Sequence, residues 1–402
     1  MNHPVWDIPL LGSGWIIGLI SIVHVSIAHL VVGAGIWLPW MEGRAQRAGD
    51  LELQAWLRGR AKALLWLSSI FGAGTGVGIW VAIGLVNPTA TQHLIRAFVM
   101  AWAIEWLLFV GEMATLIILV RAYDRLRLRQ RLAVYWLYAL CAWLSLVVIN
   151  GIITYMLSPG KGWAASHAMG DGFFNPTYLP SLLLRTCVAL VLGGLWALAA
   201  GATAGPALKA RVLKPSALFA LAGVLLSVAS GWYYFQSFPP AARELVLGNL
   251  KGATGLAQGF RWALWGLGAF LVPGLLVLWA RWAPGSFRRP LALLGLLLAC
   301  WGFGGFEWIR EVARKPFVIR DVMYANGIRV EQVASYQKDG FLAQNAWART
   351  FAASKGDTDL ARGEALLRSQ CLACHTRDGY RSLKALTASN TEADDVAFVQ
   401  AL

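Results

Sequence analysis

Residues 99–136 read VMAWAIEWLLFVGEMATLIILVRAYDRLRLRQRLAVYW, and the stretch falls into three parts. The first part, up to Val120, is apolar apart from Glu105 and Glu112. About 20 such residues suffice to cross a bilayer as a helix, because each adds about 1.5 Å against a hydrocarbon thickness of about 30 Å. The second part, 121–131, carries five arginines. At 132 the apolar pattern resumes. Span, basic loop and span again is the grammar of a multi-pass membrane protein.

Outward from this stretch the same grammar repeats. Apolar runs long enough to span occur at 11–41, 62–86, 93–120, 132–157, 179–204, 216–236, 262–280 and 290–309. The sequence therefore predicts an all-α membrane protein with eight transmembrane helices, and an even number puts both termini on one side. Alternate loops, at 42–61, 121–131, 205–215 and 281–289, collect fifteen Lys and Arg residues. The opposite loops carry few, among them Lys161, Arg243 and Lys251. Basic loops stay on the cytoplasmic side, so both termini are expected to be periplasmic, in a bacterial inner membrane. The first run is too long for a signal-peptide core and no small-residue cleavage site follows it, so it reads as a retained span. The net charge of +14 resides in these short loops and marks topology, not nucleic-acid binding. With 57% hydrophobic residues, 21 Trp and 42 Gly in 402, the composition agrees.

Beyond Arg320 the chain turns polar. Near its end, RSQCLACHTRDGYRS (368–382) contains Cys371, Cys374 and His375 as C-x-x-C-H, the attachment site of a c-type haem. The two thiols form thioethers and the histidine supplies an axial nitrogen. Such attachment takes place outside the inner membrane, where the charge pattern independently puts this end. Cys141, Cys187 and Cys300 lie in apolar runs and read as small buried hydrophobes. The domains expected are 1–320, a haem-binding transmembrane domain; 321–356, a periplasmic linker with some helix; and 357–402, the N-terminal part of a cytochrome c domain. No methionine follows Met323 and His375 is the last histidine. The closing run TEADDVAFVQAL resembles a helix cut off in mid-pattern, so this domain is expected to continue past Leu402.

Ionisable residues inside spans are costly and usually functional. His24 and His29 lie in the first span, roughly 140° apart around the helix, and at least one of them is expected to ligate iron. Glu105 and Glu112 share one face of the third span, as a structural pair or as a proton relay from the inner side. In the last span Glu307 and Glu311 stand one turn apart, as do Arg310 and Arg314. Arg96, Arg185, Arg261, Arg310 and Arg314 all fall near outer ends of spans, where haem propionates would partner guanidinium groups. The glycines of FGAGTGVGIW (71–80) read as close helix packing.

These segments together resemble subunit I of the cytochrome bd oxidases, in a divergent branch with a C-terminal c-type haem, over residues 10–325. HVSIAHLVVG is similar to the family's first-span segment and puts His24 at the ligand of the oxygen-binding haem. AIEWLLFVGE resembles the third-span segment; Glu105 matches its first acidic residue, and Glu112 falls one residue short of the second. INGIITYMLSP resembles the fourth-span Asn-Gly stretch. REVARKPF is similar to the Glu-x-Gly-Arg-Gln-Pro-Trp motif, which makes Glu311 the axial ligand of a high-spin b haem and Arg314 the motif arginine. Ala313, Lys315 and Phe317 depart from it. Where the family has the His and Met ligands of a low-spin haem, this chain offers Arg185 and Ala263, and the outer quinol loop shrinks to about 237–260.

The resemblance implies two or more buried haems of b type, with d type as the alternative, besides one covalent haem c. It implies a second membrane subunit, and the haem c implies a periplasmic cytochrome or another electron carrier as partner. The expected function is electron transfer between that carrier and the buried haems, with reduction of O2 to water. The alternatives are a non-catalytic conduit in a larger respiratory complex and a quinol-linked cytochrome reductase.

Overall fold

The computed structural model describes residues 6–247, 268 and 271–400; the side chains of 397–400 are not described. Among these residues seven helices are long and apolar enough to cross a membrane: Ser13–Arg47, Leu51–Val86, Val99–Arg121, Leu128–Tyr155, Tyr178–Gly201, Pro206–Gln236 and Arg289–Val312. These are the first to sixth spans and the last. Residues 262–267, 269 and 270 of the predicted run 262–280 lie outside the described residues, and its end forms the shorter apolar helix Leu271–Trp282. The chain is thus an all-α, multi-pass membrane protein.

Several spans are longer than a bilayer requires. The first, second and sixth have 35, 36 and 31 residues, so the turns at their basic ends continue beyond the hydrocarbon. Arg44 and Arg47, Arg58 and Arg60, and Lys209, Arg211 and Lys214 sit on these turns. The stretches 42–61 and 205–215, expected as loops, are therefore mostly helix, because isolated charges on a solvated turn do not interrupt the backbone ladder. One tight turn joins the first two spans. Gly49 adopts a positive φ there, and Asp50 caps the second helix by accepting from Leu53 N at 3.0 Å. Arg211 pairs with both Asp50 and Glu52, and Arg58 pairs with Asp124 at 2.8 Å.

The chain divides into two units, Ile22–Gly76 with Ile95–Arg314, and Met1–Ser21 with Val77–Leu94 and Lys315–Leu402. In the first of these, the fifth span is the most enclosed helix and packs on the sixth and last spans. The centre of its core is Trp37, fully buried between Trp56 and Trp196, with its indole donating to Ser216 Oγ at 3.1 Å. The first and fifth spans cross backbone to backbone. A Cβ on Gly33 would stand 1.7 Å from Ala189 O, and one on Gly193 would stand 2.2 Å from Gly33 C. Gly33→Ala must therefore push the helices apart, at a cost of about 1–3 kcal/mol or more. Gly74→Ala, which meets nothing within 4 Å, is the control. A lower thermal midpoint in detergent for Gly33→Ala alone is the expected result.

The second unit holds the polar C-terminal part. Phe317–Ile319 and Met323–Tyr324 form an antiparallel hairpin with the Phe317 and Tyr324 rings stacked at 4.7 Å. Short helices follow at Val333–Asp339, Phe341–Gln344 and Ala346–Ser354, then Asp359–Leu366. Ala348 and Ala352 pack against Ala365, with Phe341, Trp347 and Phe351 around them. The residues expected as a linker thus share a small core with the helix that leads into C-x-x-C-H.

Candidate functional site

A π turn, Leu367–Cys371, ends the helix before the motif. The backbone then folds back, Cys374 N and His375 N both donating to Cys371 O at 3.1 and 3.0 Å. Cys371 and Cys374 are free thiols. Burial, and then the neighbouring Cys374, pushes the Cys371 thiol up. His375 Nδ1 lies 3.0 Å from Arg381 O. A carbonyl only accepts, so Nδ1 carries the proton and Nε2 presents a bare lone pair, the form that ligates iron. The loop 376–382 is fastened to the N-terminal segment. Tyr380 N donates to Leu10 O at 2.6 Å, Trp15 meets Tyr380 edge-on at 5.7 Å, and a Cβ on Gly379 would stand 2.1 Å from Leu10 O.

The two histidines of the first span show the same tautomer by the same reasoning. His29 Nδ1 is 2.7 Å from Val25 O, so its proton is there. Its Nε2 is buried with no hydrogen-bond partner among the described residues. His24 Nδ1 is 3.0 Å from Thr75 Oγ1, and that hydroxyl spends its own proton on Phe71 O at 2.5 Å. Thr75 therefore accepts from His24 Nδ1. Thr75 follows a π turn, Leu67–Gly72, an irregularity common at functional positions. Of the glycines in this stretch, Gly76 lies against His24 and Gly78 against Ile20, whereas Gly74 meets nothing. The residues present thus fit haem in the donor chemistry of three imidazoles and two thiols.

His29 belongs to a buried charge cluster. Its ring packs on Phe303 with centroids 4.6 Å apart. Arg185, with no exposed surface, places Nη2 2.7 Å from Glu307 Oε1 and lays its guanidinium over Phe306 and Phe303. Arg310 Nε donates to Glu307 Oε2 at 2.9 Å. Glu311 pairs with Arg314, whose Nη1 also reaches Met156 Sδ at 3.3 Å. Arg185, Arg310 and Arg314 thus have carboxylates of the last span as partners, which the sequence alone did not assign. A guanidinium donates and does not bind iron, so Arg185 is not an iron ligand. Arg96 is exposed at the end of the helix Pro88–Ala97. Arg261 and Ala263 lie outside the described residues.

Glu105 accepts from Ser145 Oγ at 3.2 Å, and Glu112 is buried two turns further along the same helix. Ser145 and Thr75 were missed by sequence reasoning. Hydroxyls in an apolar helix carry no signal until the neighbouring helix is placed.

No family model and no curated protein matches the sequence. Among solved structures, the chain is similar to the bd oxidase from Geobacillus thermodenitrificans, with a TM-score of 0.65 over 93% of this chain and 98% of that one at 15% sequence identity. The chain therefore has the fold of a bd oxidase chain, a multi-pass helical membrane scaffold, over nearly its whole length.

Proposed function

We propose that the protein is a haem-bearing subunit of a bd-like membrane oxidoreductase, which passes electrons from a periplasmic carrier through a C-terminal haem c to buried haems and reduces O2 to water. The observation that carries this reading is the shared state of His24, His29 and His375: each has Nδ1 engaged in a hydrogen bond, on a fold similar to that of a bd oxidase. Cys371 and Cys374 would hold the haem c covalently, with His375 on its iron. His24 and Glu311 would hold buried haem, with His29 as a further ligand position. Bound haem would supply one-electron transfer and oxygen chemistry.

The chain's own residues supply the rest. Thr75 fixes the tautomer and ring plane of His24. Ser145 orients the Glu105 carboxyl, which with Glu112 delivers protons from the inner side. A second membrane subunit would complete the assembly in the bacterial inner membrane, with both termini periplasmic.

Carbon monoxide added to the reduced full-length protein tests the reading. The spectrum of a buried haem is expected to shift, and His24→Ala is expected to abolish that shift while the haem c band stays. If carbon monoxide leaves the wild-type spectrum unchanged, the chain is a conduit and not an oxidase. Glu105→Gln keeps the shape but cannot carry a proton. Oxygen consumption should fall on the order of 10²-fold with the haem spectrum intact, and undiminished consumption would return Glu105 to a structural role.

A further inference from the structure

At the inner end of the first span, Glu42 is fully buried, one residue after Met41 of the hydrophobic core. Gln46 Nε2 donates to its Oε1 at 2.8 Å, and Arg131 Nη1 lies 3.9 Å from the same oxygen. The Tyr123 hydroxyl also faces this carboxylate; among the described residues the other oxygen, Oε2, has no hydrogen-bond partner, nor has the buried hydroxyl of Tyr135 or Arg131 Nε. The second helix contributes Gln54, whose backbone O accepts from the Tyr123 hydroxyl at 3.0 Å and whose Oε1 accepts from Arg131 Nη2 at 3.2 Å. The same helix contributes Arg58, over the Tyr123 ring and tied to the exposed Asp124. Polar groups thus run from the exposed rim at Asp124 to a buried carboxylate with an open oxygen.

Three orphaned polar atoms in one buried cluster are the setting that ordered water occupies, since water bridges groups the protein leaves unpaired. The cluster also lies on a line. Tyr138 follows Tyr135 by one turn of the fourth span and donates to Val31 O at 3.4 Å. At the next level Gly111, beside Glu112, abuts Cys141. One turn further out on the fourth span, Ser145 donates to Glu105.

We propose that Glu42 is the entry group through which protons from the inner aqueous side reach Glu112 and Glu105. This rests on the oxygen-reducing reading above. A hydronium ion at the inner face gives its proton to the Glu42 carboxylate. The acid passes that proton through the Tyr135 hydroxyl and bridging water toward Glu112 and regains its charge. No electron moves in the step; electrons arrive separately from the carrier.

Two measurements on the full-length protein decide it. In inverted membrane vesicles, dicyclohexylcarbodiimide reacts with protonated carboxyls in apolar surroundings. Mass spectrometry should find its adduct on Glu42, and the yield should fall as the pH at the inner face is raised. No adduct at any pH, or a yield indifferent to that pH, overturns the proposal. This readout needs no oxygen turnover, so it stands even if the wild type consumes no oxygen, which would sink the proposed function instead. With turnover present, Glu42→Gln should slow oxygen consumption on the order of 10²-fold at an unchanged haem spectrum, and Glu42→Asp should restore most of it. A wild-type rate in Glu42→Gln also overturns the proposal.

Discussion

Glu307→Ala destabilises the membrane domain by about 3–5 kcal/mol, the cost of leaving buried charge unpaired. Glu307 is the carboxylate between Arg185, at 2.7 Å, and Arg310, at 2.9 Å. Arg185 has no surface exposed to water and no means of losing its charge. Removing the carboxylate strands a guanidinium among Phe303 and Phe306, and two like charges then face each other across the gap. Glu307→Gln keeps the volume and one acceptor, so its loss should be smaller. Thermal unfolding in detergent, followed by intrinsic tryptophan fluorescence, measures both variants. A Glu307→Ala midpoint equal to that of the wild type would show that Arg185 finds another anion. Arg185→Met combined with Glu307→Leu should recover part of the loss, because apolar residues of similar volume replace buried pairs at little cost.

Under the proposed function, Cys371→Ser combined with Cys374→Ser is expected to remove all covalently bound haem. Serine hydroxyls do not form the thioethers that the two thiols, free here, would form with haem under the proposed function, and no other cysteine belongs to a C-x-x-C-H. On a denaturing gel, haem-linked peroxidase staining should be strong at the wild-type band and absent from the variant. The chain itself should still insert, because its spans and basic turns are untouched. Staining that survived the double substitution would remove the haem c from the proposed function. Electron delivery from a soluble carrier should fail in the variant, while buried haems still respond to dithionite.

Much of this protein was legible from linear sequence. Span positions follow from the length of apolar runs, since the bilayer tests each helix by itself. The expected orientation follows from arginines such as those at 121–131, each a local property of a loop. The C-x-x-C-H motif is equally local, because its spacing alone sets two thiols and an imidazole on one turn. What the sequence left open is whatever depends on a partner from another helix. It placed Arg185 and Glu307 near span ends but not against each other. It offered His24 and His29 as ligands but could not assign their protons, which Thr75 and the Val25 carbonyl settle. It marked glycines at 72–78 as packing residues, while the closest crossing lies at Gly33 and Gly193. Glu42 read as the start of a basic loop, and only the fold encloses it. The physical reason is common to all four. In a low-dielectric interior the state of a polar group is set by what lies within about 3 Å of it, and for a bundle of helices those neighbours come from distant parts of the chain.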